Sequence, residues 1–136
     1  MKAIVDANVL FSCLIKDSTA REIFFNPVLV LFAPEFIIKE FISHLREIQI
    51  KSGLSEKDFL TLADNAFSQI QLVKNAELKP FLPAAASLIS DSKDWLYLAC
   101  ALKEDAVMWT NDKGFKAQAR IRVLTTKEII SIVGSL

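Results

Sequence analysis

The sequence predicts an α/β fold in three layers, with a central, mainly parallel sheet of four to five strands and helices on both faces. Three observations lead there. Strand-like and helical segments alternate along most of the chain, the pattern of consecutive βαβ units. Only 3 Gly and 4 Pro are present, too little turn chemistry for the many hairpins of a sandwich or barrel. The 136 residues, 52% hydrophobic and 24% charged, amount to a single domain over 1–136, too apolar to stay disordered.

The elements follow in order. Lys2 to Asp6 is a short β-branched run ending in a carboxylate, and Asn8 to Lys16 continues with helical spacing at Val9, Leu10, Cys13 and Leu14. Ser18 or Thr19 can cap a second short helix carrying Ile23, Phe24 and Phe25, ended by Asn26-Pro27. Val28 to Phe32 reads as a strand buried on both faces. Pro34 suits the first turn of a long amphipathic helix through Phe36, Ile37, Phe41, Leu45 and Ile48 to Gly53. Ser55 opens another helix, with Asp58 in its first turn and an apolar stripe from Phe59 to Ile70. Leu72-Val73 is a brief strand, and Pro80 and Pro83 punctuate a connection before a helical turn or two over Ala84 to Ile89. Capping residues from Ser90 to Asp94 precede a nearly all-apolar helix, Trp95 to Leu102. Ala106 to Trp109 and Val123-Leu124 are strands, and Thr125 to Val133 closes the chain as a helix.

Sixteen Lys and Arg balance sixteen Asp and Glu, so no global basic field marks a nucleic-acid binder, and such a role would have to come from local segregation of charge. Cys13 and Cys100 both lie in apolar helical runs and read as reduced core thiols. Asp6 interrupts the N-terminus before a signal-type apolar stretch of ~7–15 residues can form. No uncharged run approaches the ~18 residues of a membrane span, so a soluble, cytoplasmic protein is expected, with no membrane partner.

In parallel sheets ligands gather outside the carboxyl ends of the strands. Asp6 and Asp112 each follow an apolar strand and precede a helical segment, which aims both at that edge. Either alone could be a capping or turn residue. Glu40 borders the apolar stripe of the long helix, one turn before His44, and Asp94 opens the helix at Trp95, with Asp91 the weaker alternative on that stretch. Converging carboxylates repel and raise one another's pKa unless a cation neutralises them, so four of them imply a hard divalent ion. Mg²⁺ takes such ligands, and such ions serve phosphodiester hydrolysis. Zinc motifs, glycine-rich phosphate loops and a serine nucleophile motif are absent. His44, the only histidine, reads as a helix-border residue able at most to assist Glu40.

Four segments carry a family resemblance: Ile4-Val5-Asp6-Ala7-Asn8-Val9-Leu10, the acid in Pro34 to Phe41, Asp91-Ser92-Lys93-Asp94-Trp95-Leu96-Tyr97-Leu98-Ala99, and Val107 to Phe115. In this order and spacing they resemble the PIN-domain ribonucleases, including the VapC-like toxins of toxin–antitoxin pairs, over nearly the whole chain. The resemblance implies a PIN-like fold. It also implies that Asp6, Glu40, Asp94 and Asp112 take the places of catalytic, metal-binding acids for Mg²⁺ or Mn²⁺, with Asn8 and Thr110 supporting them. Gly114 stands where many members carry a further acid.

The expected activity is therefore metal-dependent endoribonucleolytic cleavage of an RNA substrate, as the toxin of a toxin–antitoxin pair where an antitoxin exists. Lys93, Lys113 and Lys116 lie nearest the acids in sequence and could engage phosphates. Two alternatives stand beside it. One is a catalytically silent PIN-like module that binds RNA or protein. The other is a Mg-dependent small-molecule phosphatase, disfavoured because Asp6-Ala7-Asn8 lacks the second aspartate of an Asp-x-Asp pair. A homodimer is expected by resemblance. Ten Phe in 136 residues are generous for one small core, and Phe59, Phe67 and Phe81 could host an apolar partner surface or simply fill the core.

Overall fold

The structure is a computed structural model that describes residues 1–16 and 19–134. Its sheet contains β1 (Lys2–Val5), β2 (Val30–Pro34), β3 (Ile70–Val73), β4 (Val107–Trp109) and β5 (Val123–Leu124), ordered β3-β2-β1-β4-β5 with every neighbouring pair parallel. Ala3, Ile4 and Val5 of the central strand are fully buried because helices cover both faces. The three-layer α/β/α fold with a parallel five-stranded sheet is as the sequence predicts.

From β1 the chain moves to β2 and β3, then returns past β1 to β4 and β5. Right-handed crossovers send the helices of these two excursions to opposite faces. On one face α1 (Ala7–Ile15) packs with α2 (Thr19–Phe24), α3 (Phe36–Ser43), α4 (Leu45–Ser52) and α5 (Glu56–Ser68). On the other, α6 (Asn75–Leu78) and α7 (Leu82–Leu88) pack on α8 (Trp95–Glu104), which lies across β1, β2 and β4. α9 (Thr126–Gly134) follows β5. Because the connections leaving β1 and β4 run in opposite directions, a crevice opens beyond the carboxyl ends of these two strands.

Several local expectations are corrected. Pro34 ends β2 instead of opening a helix; the β1 ladder stops at Phe32, so the missing Pro34 N–H costs no hydrogen bond. Val28 lies outside the strand, its N–H held by the Asn26 side chain at 2.9 Å in a turn. The long amphipathic helix is two helices that break at His44 (φ −113°, ψ 8°). There the Ser43 hydroxyl and the His44 ring both occupy the Glu40 carbonyl, at 2.9 Å each, and compete with the backbone bond that would continue the helix. Ile70, grouped by spacing with the preceding helix, begins β3. α6 went unpredicted: it is four residues long, and its first N–H groups are met by Glu77 (3.3 Å to Lys74 N) and by distant Glu35 (3.1 Å to Asn75 N). α7 starts two residues earlier than expected, with Pro83 in its first turn. Ser55 caps α5 as expected, accepting the Asp58 N–H at 3.1 Å. The suggested Ser18 cap lies outside the described residues.

Cys13 and Cys100 are free and buried, and burial pushes both thiols up to about 12. Among the described residues no helix is long and apolar enough to cross a membrane.

Candidate active site

Asp6 leaves β1 at the crevice and caps α1. Its Oδ1 accepts the Asn8 N–H at 3.4 Å and its Oδ2 accepts the Thr110 hydroxyl at 2.5 Å. The residue is only 7% exposed. Burial raises its pKa, Asp112 adds repulsion, and the Thr110 hydroxyl opposes both. Asn8 therefore steadies Asp6 through its backbone N–H. Asn8 also lines a cavity of about 400 Å³ together with Phe11, Ser12, Glu40 and His44.

Thr110 follows β4, is fully enclosed, and joins two acids: it donates to Asp6 and accepts the Asp112 N–H at 3.0 Å. Asp112 caps a 3₁₀ turn, Lys113–Ala117, by accepting the Gly114 N–H at 2.9 Å. A Cβ on residue 114 would stand 3.2 Å from Asp112 Oδ1, so the glycine leaves that carboxylate its room. Asn111 and Trp109 fasten the loop to α9: the Asn111 amide and the indole both donate to the Thr126 hydroxyl, and Thr126 N–H returns a bond to Asn111 Oδ1 at 2.9 Å.

Glu40 projects from α3, and its Oε1 accepts the hydroxyl of buried Tyr97 at 2.5 Å. Desolvation raises the Glu40 pKa, the Tyr97 bond offsets part of this, and Asp6 raises it further. The tyrosine is itself pushed strongly up by burial and by its bond to Glu40. Asp94 stands one turn before Tyr97 at the start of α8, with no capping bond of its own. Burial raises it to about 6, and Asp91, Asp112, Asp6 and Glu40 all push in the same direction. Asp91 is exposed, accepts the Lys93 N–H at 3.1 Å, and lines a second cavity of about 420 Å³ with Asp94, Asp112 and Gly114.

Asp94 thus feels the charge of Asp6, Glu40 and Asp112 at the β1–β4 crevice, with Asp91 at its rim. Hard oxygen donors under mutual repulsion fit a hard divalent cation, and Mg²⁺ asks for only one or two carboxylates beside its waters. Among the described residues no three His, Cys, Asp or Glu side chains stand as a ready-made coordination set. One oxygen each of Asp6 and Glu40 is engaged by a hydroxyl instead.

His44 touches Glu40 through its backbone carbonyl, and its ring leans on Phe11 at 5.5 Å between centroids. Lys93 lies near enough to lower the Glu40 pKa. Lys116 is held by Glu128 at 2.8 Å, which removes it as a free phosphate contact. Tyr97 and Thr126 are the residues that sequence reasoning missed. Tyr97 could have been found from its i+3 spacing to Asp94, whereas Thr126 carries no local signal.

A parallel sheet with an acidic crevice at its β1–β4 switch point is the architecture of the PIN domain, and the PIN-domain family model matches residues 4–130. The chain belongs to the PIN domain family, whose members are in general hydrolytic nucleases. Its fold is similar to VapBC2 from Rickettsia felis, solved bound to a DNA fragment from its promoter, with a TM-score of 0.67 and 15% identity over 92% of this chain and 98% of that one. It is likewise similar to PAE2754 from Pyrobaculum aerophilum, with a TM-score of 0.70 and 14% identity over 100% of this chain and 91% of that one. No curated protein matches the chain.

Proposed function

We propose that this chain is a Mg²⁺- or Mn²⁺-dependent endoribonuclease. The observation that carries the reading is the shared electrostatic penalty on Asp94, which rises to about 6 because Asp91, Asp112, Asp6 and Glu40 add to its burial. A protein keeps such repulsion where a cation relieves it. Asp6, Glu40, Asp94 and Asp112 would hold the metal, and the bound metal would supply a water activated for attack on a phosphodiester and a countercharge for the leaving oxygen. Thr110 fixes the Asp6 carboxylate and the Asp112 backbone relative to each other, and Tyr97 fixes Glu40. Lys93, whose charge reaches Glu40, would receive a substrate phosphate.

The proposal extends to partners. The VapBC2 likeness supports a toxin with an antitoxin partner, and a homodimer accompanies that reading. Two buried, unpaired cysteines suit the reducing cytoplasm.

The test is cleavage of a single-stranded oligoribonucleotide with and without Mn²⁺. Asp6→Asn removes a charged ligand and is expected to abolish metal-dependent cleavage. Equal cleavage by the variant and the parent protein would overturn the assignment.

A further inference from the structure

The balanced net charge hides one segregated stretch. From Lys113 to Lys127 the sequence holds five cations, Lys113, Lys116, Arg120, Arg122 and Lys127, and no acid. This stretch begins beside Asp112, forms the crossover to β5, and ends in the first turn of α9. Lys116 is neutralised by Glu128, but Arg120 and Arg122 are exposed and their side chains make no ion pair or hydrogen bond among the described residues. With buried Ile121 between them, Arg120 and Arg122 both line a cavity of about 360 Å³, walled by Leu102 and Val107 and bordered by Asp105.

The loop that presents them is held in place. Gln118 donates to the Phe115 and Ile121 carbonyls at 3.0 Å each and accepts the Ile121 N–H at 2.8 Å. A fixed loop with two unpaired guanidiniums suits phosphate, which arginine binds through paired N–H donors. This cavity lies at the amino ends of β4 and β5, across the sheet from the acids. The sheet is thin there: β5 has two residues, so Arg122 and Thr125 are about 10 Å apart. A strand seated at Asp112 can reach the arginines within a few nucleotides.

We propose that Arg120 and Arg122 form an accessory phosphate site that holds the single-stranded RNA backbone away from the scissile bond, along the β4–β5 crossover. The proposal rests on the ribonuclease reading for its ligand but uses none of the acids. Two positive charges against the one carboxylate of Asp105 favour a polyanion, and a further cation, Lys113, next to Asp112 at the other end of the crossover favours an extended one.

The test compares the parent protein with the double variant Arg120→Gln, Arg122→Gln. Binding of a fluorescein-labelled single-stranded RNA of about twelve nucleotides, within the site sizes of such grooves, is followed by anisotropy in EDTA over a salt series. Two lost phosphate contacts should weaken binding about tenfold and flatten the slope of log K against log salt by about 1.4. Binding of a dinucleotide and the melting temperature should stay unchanged. An unchanged slope, or a parent protein that does not bind the oligonucleotide, overturns the proposal; an unchanged slope would leave an acidic protein surface as the occupant to seek. Cleavage plays no part in this readout. Loss of activity in Asp6→Asn with no effect of the arginines sinks only the accessory site, and an arginine effect without any cleavage sinks only the nuclease.

Discussion

At the scale of single residues, the site trades stability for charge. Asp94 titrates near 6 in the folded chain and near ~4 when unfolded, so the native state binds its proton more tightly. Stability is then expected to fall as pH rises through that window and to stay lowered above it. Asp94→Asn, which breaks no capping bond, should flatten the urea-derived stability profile between pH 4.5 and 8 in EDTA. After allowing for solvent screening of this partly exposed group, the gain at pH 8 should be on the order of 1 kcal/mol. A variant profile parallel to that of the parent would refute the cause assigned here. Tyr97→Phe keeps the buried ring and removes the hydroxyl from Glu40. The lost charge-assisted bond should cost about 1.5 kcal/mol, read as a lower urea midpoint. Sequence alone marked the acids because each sits at a strand end or helix border. The family resemblance gave Thr110 a supporting role, but which acids it joins, Asp6 and Asp112, depends on β1 and β4 being neighbours.

Among the elements, those with strong periodicity or caps were legible: α5 from its Ser55 cap, α8 from its apolar run, β1 and β4 from their β-branched and aromatic content. What was not legible was decided by side chains acting on the backbone over distance or against the local pattern. The break at His44 arises from two side chains converging on one carbonyl, and α6 depends on Glu35, forty residues away. The β4–β5 crossover shows the same dependence in a testable form. Gln118 alone makes three of its hydrogen bonds, so Gln118→Ala should destabilise the protein by about 2 kcal/mol by denaturant titration. A loss below a few tenths would mean that the loop is held by packing instead.

For the whole molecule, the aromatic surplus divides between the interior and its border. Phe59 is buried and stacks near Phe41, Phe67 meets Phe41 edge-on, and Phe81 packs against the core. The most exposed apolar side chains are aliphatic: Ile38, Ile42, Leu60 and Leu72, with Phe41 and Phe67 beneath them, line a groove of about 400 Å³ between α3, α5 and the edge strand β3. If the proposed homodimer uses this groove, light scattering of Ile42→Lys, Leu60→Lys at micromolar concentration should return a single 15.2 kDa species where the parent protein gives twice that mass. A parent protein that already scatters as one chain would remove the dimer and leave the nuclease assignment standing. The strand order also governs when the crevice can exist during synthesis. β1 finds β2 early, but its second neighbour, β4, lies about a hundred residues downstream, since Val5 pairs with Trp109 and Asp6 with Thr110 across that gap. A nascent chain still on its ribosome before that point has β1 as an edge strand, paired with β2 alone, and Asp6 without its hydroxyl partner. On the proposed ribonuclease reading, the protein would thus stay unarmed beside the RNA-rich machine that makes it until its fourth strand has emerged.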